Sequence, residues 1–128
     1  MNIKETAAAI HAINKEKGFW DKPKETGTLL MLVTSELAEA LEADRKNKRA
    51  EPFWIKSVLG EGITWENNPE ILKEMFLRDI KDTFQDEIAD AVIRLFDLAE
   101  GSGIDLEFHI KHKMEYNKTR ERLHGKAY

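Results

Sequence analysis

The stretch Thr34–Arg45, TSELAEALEADR, decides how this chain is read. Its alanine, leucine and glutamate are strong helix formers, yet one of its acids is out of place. At about 100° per residue, Glu36 falls between Ala40 and Val33 on one side and Ala43 and Leu32 on the other. A carboxylate inside an apolar arc must be paired, protonated or destabilising. Glu39 lies one turn on, at the edge of the same arc.

The pattern recurs. Ser35-Glu36-Leu37-Ala38-Glu39-Ala40-Leu41 aligns without a gap on Asp86-Glu87-Ile88-Ala89-Asp90-Ala91-Val92. Seven positions do not establish a duplication, but they give two helices the same kind of surface. On the second, Glu87 adjoins Leu98, Ala91, Phe84 and Ile80, with Asp90 one turn away at the edge. Packed antiparallel in a bundle, ExxE and ExxD would gather four carboxylates. Four adjacent negative charges repel strongly in a low-dielectric site, so a cation belongs among them. Mg²⁺ fits as a hard, oxygen-seeking ion, with Mn²⁺ as the alternative.

A structural reading competes with the metal: Glu36 and Glu87 could form salt bridges with basic residues at the core margin, Arg94 being one partner, close to Glu87 on the wheel. A di-iron site would require Glu-x-x-His, which neither acidic pair offers. His109 and His112, three apart, have no matching acidic motif and read as solvated.

Around these motifs the chain reads as all-α. A first helix covers about Ile3 to Lys15, followed by the loop GFWDKPKETG. Thr26 or Thr28 is placed to cap a second helix that reaches about Asn47. The third spans about Asp79 to Glu100 and stops at Gly101-Ser102-Gly103. Asp105 caps a last helix to about Glu121, leaving LHGKAY irregular. Between the second and third helices, Arg49–Arg78 carries Pro52, Gly60, Gly62, Pro69, Trp54 and Trp65, with a short helix near PEILKEMFLRDI. This segment reads as an inserted arm or lid on the same domain, residues 1–128 forming one unit.

Composition narrows the function classes. With 41% hydrophobic and 34% charged residues the chain has a soluble globular profile, and a net charge of −4 offers no bulk attraction to a nucleic acid polymer. No apolar run suits a membrane helix and the N-terminus lacks a signal-peptide core, so the expectation is a cytoplasmic protein. The absence of cysteine excludes disulfides and thiolate metal sites.

Complementary charge comes from the last helix, where Lys113, Asn117 and Arg120 continue the arc that Leu106 and Ile110 begin. Such a face aims cations at an anion; the alternative is a solvated helix end whose basic residues answer the dipole. Phe19 and Trp20, just after a helix carrying His11 and Asn14, are candidates to stack on a base and hydrogen-bond its edge. Closing the end of a helical core is the alternative for both aromatics.

At these residues the sequence resembles the MazG-type, all-α nucleotide pyrophosphohydrolases and the related dimeric dUTPases and dCTP pyrophosphatases. The resemblance is carried by Glu36-Leu37-Ala38-Glu39, by Glu87-Ile88-Ala89-Asp90, by KMEYNKTR from Lys113 to Arg120, and by the ending LHGKAY. It covers most of the chain and departs from compact members in the long Arg49–Arg78 segment. The resemblance implies a four-helix core with an arm inserted between helices two and three. It also implies Mg²⁺-dependent hydrolysis of a nucleoside triphosphate, a dNTP or non-canonical NTP, to monophosphate and pyrophosphate. Glu36, Glu39, Glu87 and Asp90 would hold the metal and serve the chemistry. Lys113, Asn117 and Arg120 would bind the phosphates, and Trp20, His11 and Asn14 the base. A homodimer or homotetramer of house-cleaning type is implied as well. The other class of function is a non-catalytic, homo-oligomeric helical interaction protein whose acidic pairs are structural.

Overall fold

The computed structural model describes residues 2–127 and is all-helical, with six α-helices and no strand among the described residues. In chain order these are α1 (Ile3–Glu16), α2 (Thr26–Arg45), α3 (Phe53–Gly60), α4 (Pro69–Asp79), α5 (Phe84–Gly101) and α6 (Leu106–Lys118), followed by a short 3₁₀ turn at Arg122–Gly125. Two compact units emerge, one of residues 2–26 and 95–127, the other of residues 27–94. No helix is long and apolar enough to cross a membrane.

In the first unit, local chemistry fixes the helix starts. The Asn2 side chain accepts from the Glu5 amide at 2.7 Å, and the Asp105 side chain accepts from the Phe108 amide at 3.0 Å, each capping an orphan donor. The α1 and α6 helices pack on each other. Glu107 fastens them further by accepting from the Lys4 amide at 2.9 Å. Gly18, at φ +87°, ends the turn after α1 in a conformation that other residues avoid.

In the second unit, α2 turns Val33, Glu36, Ala40 and Ala43 inward, and α5 turns in Glu87 and Ala91. The repeated heptapeptide therefore has matching burial. Glu36 and Glu87 are buried, as are Ala40 and Ala91, whereas Leu37, Ile88, Leu41 and Val92 are exposed.

The segment expected as an arm holds two helices rather than one. The α4 helix lies where PEILKEMFLRDI is found, but α3 was not anticipated: FWIKSVLG, bracketed by Pro52 and Gly60, is too short and too uniformly apolar to show a helical period. The α3 and α4 helices pack together, burying Ile55 and Leu72. Their flanks are zipped: the Glu51 amide donates to the Asp79 carbonyl at 2.9 Å, and the Phe84 amide to the Lys48 carbonyl at 3.0 Å.

Three expected boundaries move. Helix α5 starts at Phe84, not Asp79, because Asp82 at φ +60° breaks the chain out of helix before Thr83. Helix α6 ends at Lys118, short of Glu121. Helix α2 begins with Thr26 as its first residue and ends at Arg45, short of Asn47.

Candidate functional site

Three of the four acids nominated from sequence meet within the second unit. Carboxylate oxygens of Glu36, Glu39 and Glu87 all lie within 4.8 Å of one another. Glu36 and Glu87 are 8% and 5% exposed, while Glu39 faces solvent. Asp90 stands outside this triad, half-buried and one turn from Glu87.

The two buried glutamates are treated differently. Arg94 donates from Nε to Glu36 Oε1 at 2.5 Å, so one acid is answered by a guanidinium from the other helix. The sequence had placed Arg94 beside Glu87; the structure gives it to Glu36. No lysine or arginine forms an ion pair with Glu87 among the described residues. Burial pushes the Glu87 carboxyl up to about 7, reinforced by the charges of Glu39, Asp90 and Glu36 and by a side-chain hydrogen bond with Glu39. Asp90 is also raised, first by burial, then by Asp86 and Glu36, with Arg94 and Lys81 opposing.

Glu87 belongs to a further acidic group that sequence reasoning did not single out. Oxygens of Asp82, Asp86 and Glu87 also lie within 4.8 Å of one another. Asp86 was visible as the first residue of the repeat, but Asp82 joins it only through the turn before α5. Its own amide donates to Asp86 Oδ2 at 2.9 Å, and Lys81 pairs with its carboxylate at 2.7 Å.

In the first unit, the residues nominated for base contact come together on a residue that was not nominated. Asp97 accepts from His11 Nδ1 at 2.7 Å, from Asn14 Nδ2 at 2.8 Å, and from Trp20 Nε1 at 3.0 and 3.1 Å to its two oxygens. The indole stands edge-on to the His11 ring at 4.8 Å. It also lies against Gly101, where a Cβ would meet Trp20 Cη2 at 2.5 Å; the glycine is required by close approach. Asp97 and Gly101 are four apart on α5, which explains how one helix face holds both ends of the ring. Phe19 is not part of this group. It is exposed, with the Lys24 ammonium 5.4 Å over its ring, and so closes no core.

Lys113 and Asn117 share a face of α6, and Arg120 lies just beyond the helix end; Lys113 and Arg120 meet over Tyr116. The Lys113 ammonium and the Arg120 guanidinium lie 5.0 and 5.8 Å from the centre of that ring. Arg120 also donates to the His124 carbonyl at 3.3 Å. Asn117 Oδ1 is shielded from solvent and accepts no hydrogen bond from the described residues. His109 and His112 are both exposed, with ring centres 5.4 and 4.3 Å from that of Phe108, as their sequence setting indicated.

Comparison of the chain with protein-family models, with curated proteins and with solved structures finds no match in any of the three.

Proposed function

We propose that the chain is a Mg²⁺-dependent nucleoside triphosphate pyrophosphohydrolase of MazG type, yielding monophosphate and pyrophosphate. In this reading α1, α2, α5 and α6 correspond to the four core helices and α3–α4 to the inserted arm. One observation carries the proposal: a triad of close carboxylates, one of them buried without a cationic partner and raised to about 7. Carboxylate oxygen suits Mg²⁺ or Mn²⁺, and two oxygens on one Mg²⁺ lie at most about 4.2 Å apart. Small side-chain rotations would bring the triad within that limit.

Glu36, Glu39 and Glu87 would hold the ion, Glu36 being oriented by Arg94. When bound, the ion supplies positive charge at the phosphate oxygens and lowers the pKa of water at the site. Asp90, outside the triad and more basic than an ordinary aspartate, is assigned the role of accepting the proton from attacking water. Lys113 and Arg120 are assigned to phosphate binding and Asn117 to a supporting hydrogen bond. His11, Asn14 and Trp20 are assigned to the base.

A panel of dNTPs and NTPs with Mg²⁺, separated by ion-exchange chromatography, tests the reaction. Glu39→Gln is the control, because Glu39 is exposed and glutamine retains a side-chain hydrogen-bonding group beside Glu87. Monophosphate plus pyrophosphate from the wild type, lost in the variant, supports the proposal. No turnover of any triphosphate by folded protein refutes it.

The Arg94–Glu36 ion pair favours a second reading, a non-catalytic helical interaction protein with structural acids. That reading expects no effect of Mg²⁺ on thermal stability, whereas a metal site expects a rise by mass action. Both readings share a homodimer or homotetramer and a cytoplasmic setting. The support for assembly is apolar: α2 exposes Leu30, Leu37 and Leu41, and α5 exposes Ile88 and Val92. A monomer by light scattering at micromolar concentration would remove the assembly.

A further inference from the structure

We infer that Asp97 is the positioning residue of a base-reading surface, committing His11 and Asn14 to present hydrogen-bond acceptors and so to take an amino-bearing nucleobase. The inference rests on the nucleotide reading above for the kind of ligand, and on the geometry around Asp97 for its selectivity.

An ionised carboxylate only accepts hydrogen bonds. Each group bonded to Asp97 must therefore turn a donor toward it, which fixes assignments that are otherwise ambiguous in a structure. The His11 proton sits on Nδ1, facing Asp97. The Asn14 amide turns its NH₂ to Asp97, and the Trp20 indole gives its only polar hydrogen. What remains free follows from chemistry. In the neutral ring, His11 Nε2 carries a lone pair, and Asn14 is left with Oδ1; both are acceptors.

Neither atom accepts a bond from another described residue, and neither is sealed away. Among the described residues the sole buried polar side-chain atom without a partner is Asn117 Oδ1, so His11 Nε2 and Asn14 Oδ1 both reach solvent. The two residues are three apart on α1, on one helix face. His11 and Asp97 are only 15% and 14% exposed, so the ring has little freedom to flip. Beside it stands the Trp20 ring, held against Gly101.

Two fixed acceptors beside an aromatic ring select a planar heterocycle rich in N–H donors. Cytosine, adenine and guanine carry an exocyclic amine, whereas thymine and uracil offer a single ring N–H. A site built to hydrogen-bond an amine discriminates against a base that lacks it, because its own polar groups are then left unpaired.

The test uses nucleosides, which carry no phosphate and need no metal. Long-range ¹H–¹⁵N NMR of the full chain in chelator, with His11 assigned by His11→Gln, reports the tautomer directly. The expected wild-type spectrum shows His11 protonated on Nδ1. Deoxycytidine, deoxyadenosine or deoxyguanosine should shift the Nε2 signal and bind about tenfold more tightly than thymidine. Asp97→Asn should release the tautomer and bring that ratio close to one, while a purely structural Asp97 would leave it unchanged.

A wild-type His11 protonated on Nε2 overturns the proposal, as does equal binding of thymidine or the absence of any nucleoside-induced shift. The wild-type arms decide the matter even where Asp97→Asn fails to fold. Failure of the hydrolysis panel with nucleoside selectivity intact would remove the reaction and keep this surface; the reverse would keep the reaction and remove Asp97 from base reading.

Discussion

Replacing Glu87 by glutamine should stabilise the metal-free protein, and more at neutral and alkaline pH than at acid pH. In the fold its carboxyl is raised from the usual 4.5 to about 7, mainly by burial and then by neighbouring negative charge. A folded pKa above the unfolded one means that the native state binds more protons between those two values. Stability then falls as pH rises through that window. At 1.36 kcal/mol per pKa unit, the penalty grows from about 1 kcal/mol at pH 5 to about 3 kcal/mol at pH 8. Glutamine removes the charge and keeps an N–H donor for Glu39. The assay is urea denaturation of wild type and Glu87→Gln in chelator at both pH values. The variant should gain about 3 kcal/mol at pH 8 and little at pH 5, on the order of 10 °C in melting temperature at the higher pH. Mg²⁺ at about 1,000 times its dissociation constant should reverse the ranking, since it contributes about 4.1 kcal/mol to the wild type alone. A variant less stable than wild type at pH 8 in chelator would refute the reasoning, because Glu87 would then have a favourable partner.

Glu39→Gln should lower hydrolysis by at least about 100-fold without lowering the melting temperature in chelator, because it removes a charge that disfavours ionised Glu87; parallel rate and melting measurements check both. Asp97→Ala leaves the donors of His11, Asn14 and Trp20 without their acceptor and should destabilise by about 2–4 kcal/mol in urea denaturation. Lys113→Ala and Arg120→Ala should each raise KM for triphosphate about tenfold through loss of a charge-assisted contact, with small changes in stability; an unchanged KM would take them out of phosphate binding.

How legible was this molecule? The inward turn of Glu36 and Glu87 could be read from the helical period alone, and both are buried. The starts of α1 and α6 were readable because single capping or helix-favouring residues set them. The start of α5 was not. Ile80, Phe84, Glu87 and Ala91 keep an alternating four- and three-residue helical spacing straight through a turn that Asp82 breaks, so periodicity overran it. Likewise a wheel ranks Arg94 by angle on its own helix, where Glu87 is its neighbour, and cannot weigh an acid on another helix. Asp97 escaped notice for a related reason. It has no counterpart in the acidic repeat, and its three donors lie 77 to 86 residues away in sequence. The mostly apolar FWIKSVLG hid α3, since eight residues with only the adjacent Lys56 and Ser57 polar set no helical phase.

The break in the internal likeness is where the chemistry concentrates. Carrying the register of the two heptapeptides two residues further sets Arg94 against Ala43, which is buried and small. Only one of the two matched helices therefore supplies a cation, and it gives that cation to the other helix's glutamate. With all groups ionised, the triad of carboxylates and one guanidinium leave two negative charges. A second arginine opposite the first would leave one, and would close the site as an ordinary pair of buried salt bridges. Without Arg94 the burden would rise to three, harder to hold in a folded chain. The arrangement as built leaves a charge that one divalent ion balances, at the expense of a buried glutamate that ionises reluctantly on its own. A purely structural acidic pair has no need of that expense, because burying leucine at position 87 would be more stable. On the proposed reading, the cost concentrated at Glu87 is the one that a bound cation would offset.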